Sequence, residues 1–248
     1  MLKNSTILIT GASSGIGRAT AITLSKYADH LILLARSEDK LKKLKEELSH
    51  VAKVTLIPAS VTDPEIEQKI KSVTNRVDIL INNAGLALGK DPVAELKLSD
   101  MNEMIETNIK GNFNISRIVL PMMLKNGGGD IINLCSIAGH YAYMGGAVYC
   151  ATKHAVRAFT RAMREETCGK NIRVMEISPG MVETNFSVTR FEGDKSKADA
   201  VYHGMTPLTG EDIADMMEFM LTRPRHVVID EIITMPEAQG SPTTVSRK

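Results

Sequence analysis

The chain of 248 residues contains no tryptophan, few aromatic residues (4%) and only three cysteines. Cys135, Cys150 and Cys168 form an odd set without CxxC spacing, so the sequence predicts neither a disulfide framework nor a metal site. Unpaired cysteines of this kind are typical of a reducing compartment. We therefore expect a cytoplasmic protein without a bound metal.

The sequence also lacks an excess of either charge and any long apolar run. Thirty Lys and Arg residues nearly balance 29 Asp and Glu residues, which gives no general attraction to nucleic acid or to an anionic membrane. No apolar run approaches the roughly 18 residues of a membrane helix, and the first apolar stretch is too short for a signal peptide. We expect a small-molecule substrate, and neither nucleic acid nor a membrane as partner.

What the chain does have is a regular alternation of short β-branched runs with segments of helical period. Strands are predicted at 6–10, 31–35, 54–58, 77–82, 131–135, 172–177 and 227–233, and the main helices at 16–25, 39–48, 64–73, 99–124, 149–168 and 211–221. Such an order requires crossover connections, hence a parallel sheet with helices on both faces. The prediction is a single-domain Rossmann-type, doubly wound α/β fold over 1–248.

Two segments lack clear periodicity. Residues 184–207 are interpreted as a mobile loop or short helices near a substrate site, and residues 236–248 as an irregular C-terminal tail.

A glycine-rich segment, TGASSGIG at 10–17, follows the first strand and opens the first helix. Glycines allow a tight turn and the approach of a pyrophosphate, and the helix N-terminus offers unpaired N–H groups. We predict a phosphate cradle made by Gly11, Ser13, Ser14, Gly15, Ile16 and Gly17. Two other interpretations are a turn that binds nothing and the GxSxG elbow of an α/β-hydrolase, which explains the later motifs less well.

The end of the second predicted strand indicates which dinucleotide is bound. An acidic residue there would hold the ribose 2′-hydroxyl of NAD, but the chain has Arg36 and Ser37. A guanidinium can fork onto a 2′-phosphate and a serine can donate to it. These residues predict NADP, although Arg36 could also be a solvated residue that precedes a charged helix.

Ser136, Tyr149 and Lys153 form a second candidate constellation. Tyr149 and Lys153 are four residues apart in a predicted helix and therefore share one face. An ammonium beside the phenol favours the phenolate, which could exchange a proton with an alcohol or carbonyl oxygen. Ser136 follows a predicted strand and could hydrogen-bond that oxygen.

Taken together, the motifs resemble the short-chain dehydrogenase/reductase family along nearly the whole chain. They are TGASSGIG at 10–17, NNAG at 82–85, Asn108, Ser136, YCATK at 149–153 and Pro179-Gly180, in the order of that family. The resemblance implies Tyr149 as acid/base and Lys153 as the residue that lowers its pKa and holds the nicotinamide ribose. It implies Ser136 as the residue that orients substrate.

The resemblance assigns further roles. Asn108 would hold a water for proton relay, or only kink its helix. Asn82 would line the adenosine ribose, whereas Asn83 would support the fold. Val182 and Thr184 would meet the nicotinamide carboxamide, although Thr184 could simply cap a helix. At the third strand, Ser60 replaces the Asp usual in the family. The resemblance implies that Ser60 and Val61 bind the adenine, unless Ser60 is only a loop serine.

The segments 177–187 and 190–194 are similar to the branch of NADP-dependent 3-hydroxy acid dehydrogenases, which act on L-serine and L-allo-threonine. That branch implies a homotetramer. We expect Arg190 to bind the substrate carboxylate beside Ser136 and Tyr149, unless it is a surface residue paired with Glu192 or Asp194. The alternatives are a broad carbonyl reductase, a 3-oxoacyl thioester reductase and, from another class, a non-catalytic NADP-sensing protein.

Overall fold

A computed structural model describes residues 4–248, and its centre is one parallel sheet of seven strands in the order β3-β2-β1-β4-β5-β6-β7. The strands are β1 (Ser5–Thr10), β2 (Ala28–Ala35), β3 (Lys53–Pro58), β4 (Ile79–Asn82), β5 (Gly129–Leu134), β6 (Ile172–Pro179) and β7 (Glu231–Thr234). The strand order reverses between β1 and β4. In a doubly wound sheet, ligands bind outside the carboxyl ends of the strands at this point. The predicted fold class is confirmed.

Helices cover both faces of the sheet. They are α1 (Gly15–Ser25), α2 (Glu38–Leu48), α3 (Ile66–Val73), α4 (Leu98–Ile105), α5 (Asn112–Lys125), α6 (Ala147–Thr167), α7 (Asn185–Arg190), α8 (Lys195–Ala200) and α9 (Gly210–Leu221). Side chains alternate along a strand, so Ile7 and Ile9 pack with α1, α2 and α9, whereas Leu8 packs with α3, α5 and α6. Helices exclude water from both faces of the sheet, which explains why the sequences of β1 and β2 are nearly continuous apolar runs.

The last strand is shorter than the predicted 227–233. Its ladder with β6 begins at Glu231, because the backbone of the residues before it bonds elsewhere. The carbonyl of Val227 accepts a hydrogen bond from the Arg173 guanidinium at 3.2 Å, and its N–H donates to the Pro224 carbonyl at 2.8 Å. Backbone pairing with β6 starts at the Asp230 carbonyl, which accepts from the Glu176 N–H at 3.0 Å and also from Arg164 at 3.1 Å.

The predicted long helix is divided in the structure. A π-helical turn at Glu106–Gly111 separates α4 from α5. Gly111 lies against the β3 side of the fold, where an added Cβ would come within 2.4 Å of Val61 Cγ2. Single π-helical turns inside helices are frequent at functional sites, and this one carries Asn108.

The two segments without periodicity are both ordered parts of the fold. Residues 184–207 contain the short helices α7 and α8. The tail from 236 onward has neither helix nor strand, apart from one bridge between Gln239 and Val245, but it packs on the domain with Gln239 only 5% exposed. Over the described residues, no helix has the length and apolar character needed to cross a bilayer.

Candidate active site

A cleft of about 560 Å³ opens at the carboxyl ends of the strands. Its walls contain five cationic side chains and, within residues 4–248, no Asp or Glu side chain. The cations are Arg36, Lys40, Lys90, Lys153 and Arg190. This charge pattern fits anionic ligands, and its size fits a small-molecule or cofactor site.

The glycine-rich segment forms one wall of the cleft. Gly11 and Gly15 have φ angles of +66° and +51°, a region that favours glycine. The backbone then turns so that α1 presents its N-terminus to the cleft. Ser14 is the N-cap, and its hydroxyl makes no capping bond. Five of the six predicted cradle residues line the cleft, and they are Gly11, Ser13, Ser14, Gly15 and Ile16.

Gly17, the sixth predicted residue, does not line the cleft. It is buried under the loop, and a Cβ there would fall 2.4 Å from the Gly11 carbonyl oxygen. Its lack of a side chain therefore lets α1 pack closely against the loop, which is an indirect contribution to the cradle.

Arg36 and Ser37 line the cleft where β2 ends. The Arg36 side chain is 68% exposed and lies 3.5 Å from Glu103 in a loose ion pair. Ser37 is the N-cap of α2, as its position in the sequence predicts, but its hydroxyl makes no capping bond. Lys40, which the sequence analysis missed, lies on the same wall in the first turn of α2.

Ser60 and Val61 line the neighbouring wall. The Ser60 hydroxyl accepts a hydrogen bond from the Thr62 backbone N–H at 3.2 Å and lies 2.8 Å from the Thr62 hydroxyl. The loop thus fixes the Ser60 oxygen at the edge of the cleft where the resemblance implies adenine.

The structure corrects the prediction for the Asn82-Asn83 pair. The Asn82 side chain is buried away from the cleft and donates to Ser116 Oγ at 2.9 Å and to Asn133 Oδ1 at 3.0 Å. Alternation along β4 explains this, because Asn82 shares a face with Leu80, which packs toward α3, α5 and α6. Asn83 lines the cleft instead, and it also donates to the Thr10 carbonyl at 2.9 Å.

Ser136, Tyr149 and Lys153 converge on the cleft from β5 and α6. Ser136 lies two residues after the end of β5, and its hydroxyl accepts from the Ala138 N–H at 3.1 Å. The Lys153 ammonium lies 5.8 Å from the Tyr149 ring centroid and donates to the Leu134 carbonyl at 2.9 Å. Both side chains of α6 are buried, at 9% exposure for Tyr149 and 5% for Lys153.

Burial dominates the protonation of this group. It raises the pKa of Tyr149 above its ordinary value, with a further rise from Tyr143, while the Ser136 hydroxyl and Arg190 lower it. Burial also lowers the pKa of Lys153. Both effects favour neutral forms of these side chains, because a low-dielectric site disfavours charge.

Asn108 lies in the π-helical turn, and its side chain does not line the cleft. Its Oδ1 accepts from the Leu86 N–H at 2.8 Å, while its Nδ2 donates to the Leu86 carbonyl at 2.8 Å and to Thr152 Oγ1 at 3.0 Å. The amide therefore ties the π-helical turn to the NNAG loop and to α6. Any water bound there would have to contact other atoms of this turn, whose Thr107 lines the cleft.

Val182 and Thr184 line the cleft, and Thr184 lies beside the cradle. Thr184 is also the N-cap of α7, and its hydroxyl accepts from the Phe186 N–H at 3.2 Å. A Cβ on Gly15 would lie 3.1 Å from the Thr184 side chain. The capping interpretation is thus correct for Thr184, and its position beside the phosphate cradle is compatible with cofactor contact as well.

Arg190 ends α7 and reaches into the cleft. Its Nε donates to the Gly89 carbonyl at 3.1 Å, its Nη1 to the Tyr143 hydroxyl at 3.2 Å and its Nη2 to the Gly145 carbonyl at 3.5 Å. The guanidinium carbon lies 5.8 Å from the Tyr149 ring centroid. Lys97 forms an ion pair with the Glu192 carboxylate at 2.6 Å. The predicted alternative, an Arg190–Glu192 surface pair, is therefore not formed.

Sequence reasoning missed the wall that the C-terminal tail provides. Gln239 Oε1 accepts from the Met181 N–H at 2.8 Å, and Pro242 and Thr243 line the cleft with it. The tail has no periodicity, so only its tertiary packing reveals this role. Of the residues between Ser136 and Tyr149, Tyr143 and Met144 also line the cleft, whereas His140 and Tyr141 do not.

His140 belongs to a separate polar cluster behind β6, which we call the Glu176 cluster (His140, Glu176, Ser178 and Glu231). His140 bonds Glu231, and Ser178 Oγ donates to Glu176 at 3.2 Å and lies 3.0 Å from Glu231. Burial first, and then Glu231, raise the pKa of Glu176 to about 7. Three ligand-type atoms lie within 4.8 Å of one another here. Hydrogen bonds engage His140 and Glu231, whereas Glu176 Oε2 has no hydrogen-bond partner within the described residues. The expectation of no metal stays a prediction.

Known proteins are similar to this chain in sequence and in fold. The family model "short chain dehydrogenase" matches residues 5–195. An NADP-dependent 3-hydroxy acid dehydrogenase of Schizosaccharomyces pombe is 46% identical over 100% of this chain and 98% of its own length. Sulfoacetaldehyde reductase 2 of Chromohalobacter salexigens is 40% identical over 94% of this chain and 95% of its own.

Among solved structures, the closed form of a serine dehydrogenase complexed with NADP+ superposes with a TM-score of 0.91 at 35% identity. The match covers 98% of this chain and 99% of that one. The chain therefore belongs to the short chain dehydrogenase family, as its motifs predicted.

Proposed function

We propose that this protein is an NADP-dependent oxidoreductase that transfers a hydride between NADP(H) and the 3-hydroxy or 3-oxo carbon of a small 3-hydroxy acid. L-Serine and L-allo-threonine are the substrates we expect. One observation carries the substrate class. The Arg190 guanidinium lies 5.8 Å from the Tyr149 ring, in a cleft that no described Asp or Glu side chain lines.

The cleft fits NADP along its length. The α1 N-terminus and the positive-φ glycines at 11 and 15 suit the pyrophosphate. Arg36, Ser37 and Lys40 supply the donors and positive charge that a 2′-phosphate requires. The NADP-dependent relative and the NADP+ complex of the similar serine dehydrogenase support the same cofactor.

When bound, the nicotinamide supplies the hydride acceptor for oxidation and the hydride donor for reduction. The protein moves the proton. In oxidation, Tyr149 accepts the hydroxyl proton of the substrate while the C3–H bond breaks, and a carbonyl forms. In reduction, Tyr149 donates the proton to that oxygen. Ser136 donates a hydrogen bond to the same oxygen and positions it.

Lys153 and Asn108 act beside this proton transfer. The Lys153 ammonium is fixed on the Leu134 carbonyl, and we propose that it holds the nicotinamide ribose and favours the Tyr149 phenolate when a cofactor is present. Asn108 fixes the backbone between α4 and α5 next to it. We propose that the proton leaves through a water at that turn.

Arg190 gives the reaction its preference for acids. Three of its five N–H donors are used by Gly89, Tyr143 and Gly145. The two that remain, one on each terminal nitrogen, match the two oxygens of a carboxylate. A broad carbonyl reductase would not need this charge, and a non-catalytic NADP sensor would not need Ser136, Tyr149 and Lys153 together.

We also propose that 1–248 acts as one dinucleotide-binding and catalytic domain, with 184–207 as its substrate loop, in a cytoplasmic homotetramer. The continuous sheet supports the first point. The three free cysteines support a reducing compartment. Light scattering after gel filtration measures the oligomer directly, and a mass of one chain would contradict the tetramer.

The test of function is the change in nicotinamide absorbance with L-serine, L-allo-threonine and 3-hydroxybutyrate, with NADP and NAD in parallel. We expect turnover with NADP and much less with NAD. Activity on diketones without turnover of any of the three acids would leave an oxidoreductase but contradict the proposed substrate class.

A further inference from the structure

The substrate end of the cleft carries more positive charge than one carboxylate requires. Lys90 lines the cleft together with Arg190. Its pKa is lowered first by burial and then by Arg190 and Arg247, and no acidic group of the described chain opposes this. Its ammonium lies 5.6 Å from the Phe191 ring centroid. Lys90 is thus a cleft cation without an anionic partner in residues 4–248.

The backbone fixes Lys90 beside Arg190. Gly89, the residue before Lys90, donates its N–H to the Arg190 carbonyl at 3.0 Å and accepts from Arg190 Nε at 3.1 Å. The Lys90 carbonyl in turn packs against Gly145, where a Cβ would come within 2.5 Å of it. These contacts join three loops into one wall, so the two cations face the ligand from the same side.

The other cleft cations already have a function in the proposed complex. Arg36 and Lys40 lie at the end assigned to the 2′-phosphate, Lys153 lies beside Tyr149, and Arg190 is assigned to the substrate carboxylate. Only the charge of Lys90 remains unmatched by any anionic group of NADP or of a monocarboxylic substrate.

We propose that Lys90 forms a second anion subsite next to Arg190, and that the preferred substrates are small 3-hydroxy acids with a second anionic group, such as 3-hydroxy dicarboxylates. This inference rests on the proposed function. It concerns which hydroxy acids are used, and it leaves the hydride and proton transfers unchanged.

The size of the effect follows from the position of Lys90. Its side chain is partly buried by the cleft wall and partly open to solvent at the mouth of the cleft, so its ion pair with a substrate is partly solvated. Pairs of this kind contribute up to about 1 kcal/mol, which corresponds to a roughly fivefold change in affinity. The gain appears in KM rather than in kcat, because the contact is the same in substrate and transition state.

The experiment compares kcat/KM for 3-hydroxybutyrate, 3-hydroxyglutarate and 3-hydroxyadipate with saturating NADP. 3-Hydroxyadipate has one more methylene than 3-hydroxyglutarate. It therefore distinguishes a second carboxylate that is too short to reach Lys90 from one that Lys90 does not attract. We expect the wild type to favour a dianion about fivefold. Lys90→Met should abolish this preference by raising KM for the dianion, and Lys90→Arg should keep most of it.

Lys97→Met is the matched control, since Lys97 pairs with Glu192 outside the cleft. We expect it to change none of the three ratios. The preference of the wild type should also shrink at high ionic strength, because salt screens solvated pairs.

Equal kcat/KM for monoanions and dianions, or a preference that Lys90→Met retains, would overturn the subsite and leave the proposed function intact. A raised KM for NADP with an unchanged substrate ratio would assign Lys90 to the cofactor and overturn it as well. Absence of turnover with every 3-hydroxy acid would instead contradict the proposed function, and the subsite with it.

Discussion

Replacement of Arg190 by methionine is the most direct test of acid recognition. Methionine keeps an unbranched chain of similar length but removes the charge and all five donors. The side chain is half-buried, and three of its donors hold the wall of the cleft. Two consequences therefore have to be separated, namely the loss of the carboxylate contact and the loosening of the wall.

For an acid substrate, the loss of the carboxylate contact should lower kcat/KM more than the loosening of the wall does. Loss of one partner from a desolvated, hydrogen-bonded ion pair costs about 2 to 5 kcal/mol, and the partial exposure of Arg190 favours the lower end. About 2 to 3 kcal/mol corresponds to a roughly 30- to 150-fold fall in kcat/KM for a 3-hydroxy acid. A neutral ketone makes no such pair and should lose only what the wall contributes.

The assay is the steady-state oxidation of L-serine or 3-hydroxybutyrate with NADP, beside the NADPH-dependent reduction of a neutral diketone. Tyr143→Phe is the matched control, because it removes the 3.2 Å contact with Arg190 Nη1 and keeps the guanidinium. We expect it to affect both substrates equally and weakly. If Arg190→Met reduced acid and ketone turnover by the same factor, Arg190 would position the wall and the carboxylate assignment would be refuted.

Three further predictions concern the proton, the cofactor and stability. Tyr149→Phe should lower kcat at least about 100-fold, because it removes the general acid/base, while fluorescence titration should show unchanged NADPH binding. Arg36→Ala should weaken NADP binding roughly tenfold through the loss of a solvated charge-assisted contact and leave NAD nearly unaffected; equal losses would contradict the 2′-phosphate assignment. In the folded state the pKa of Glu176 is raised to about 7, so its contribution to stability is present below its unfolded pKa and is lost as pH rises toward 7. Urea unfolding should therefore compare wild type with Glu176→Gln, which mimics the protonated acid. The free energy of unfolding of the wild type should fall between pH 5.5 and pH 8, and this fall should be smaller in the variant by on the order of 1 to 3 kcal/mol. An unchanged fall would place the titrating proton elsewhere.

The positions of the predicted cradle and of Arg36 and Ser37 in the cleft were accessible from sequence because their signals are local. A glycine-rich turn between a strand and a helix has one structural context, and five of its six predicted residues do line the cleft. Arg36 and Ser37 follow from the end of β2 in the same way. Gly17 shows the limit of this reasoning, because its glycine is required by packing against the Gly11 carbonyl rather than by a ligand.

The Asn82-Asn83 pair shows how one position along the chain decides which side chain lines the cleft. Side chains of successive strand residues point to opposite faces, and Asn82 is buried on the face of Leu80 while Asn83 lines the cleft. Because helices cover both faces of the sheet, the apolar alternation of β4 does not tell which asparagine reaches the cleft. The cofactor role of Asn82 stays a prediction.

The Glu176 cluster and the tail wall had no local signal at all. Glu176 and Glu231 are 55 positions apart, and β6 and β7 become neighbours only in the assembled sheet. Likewise Gln239 meets Met181 only after the tail folds back over the end of β6. Contacts of this kind form only when several elements pack together, so the spacing of residues within one segment does not predict them.

The sequence by itself determined the succession of strands and helices and the family, and it predicted the reacting side chains, because apolar period and short motifs act over a few residues. Tertiary structure alone decided which side chains share the cleft. It brought Gly89 and Tyr143 onto Arg190 from segments 101 and 47 positions away. The substrate end of the site is made by such long-range contacts between loops, and the order of residues along the chain does not specify them.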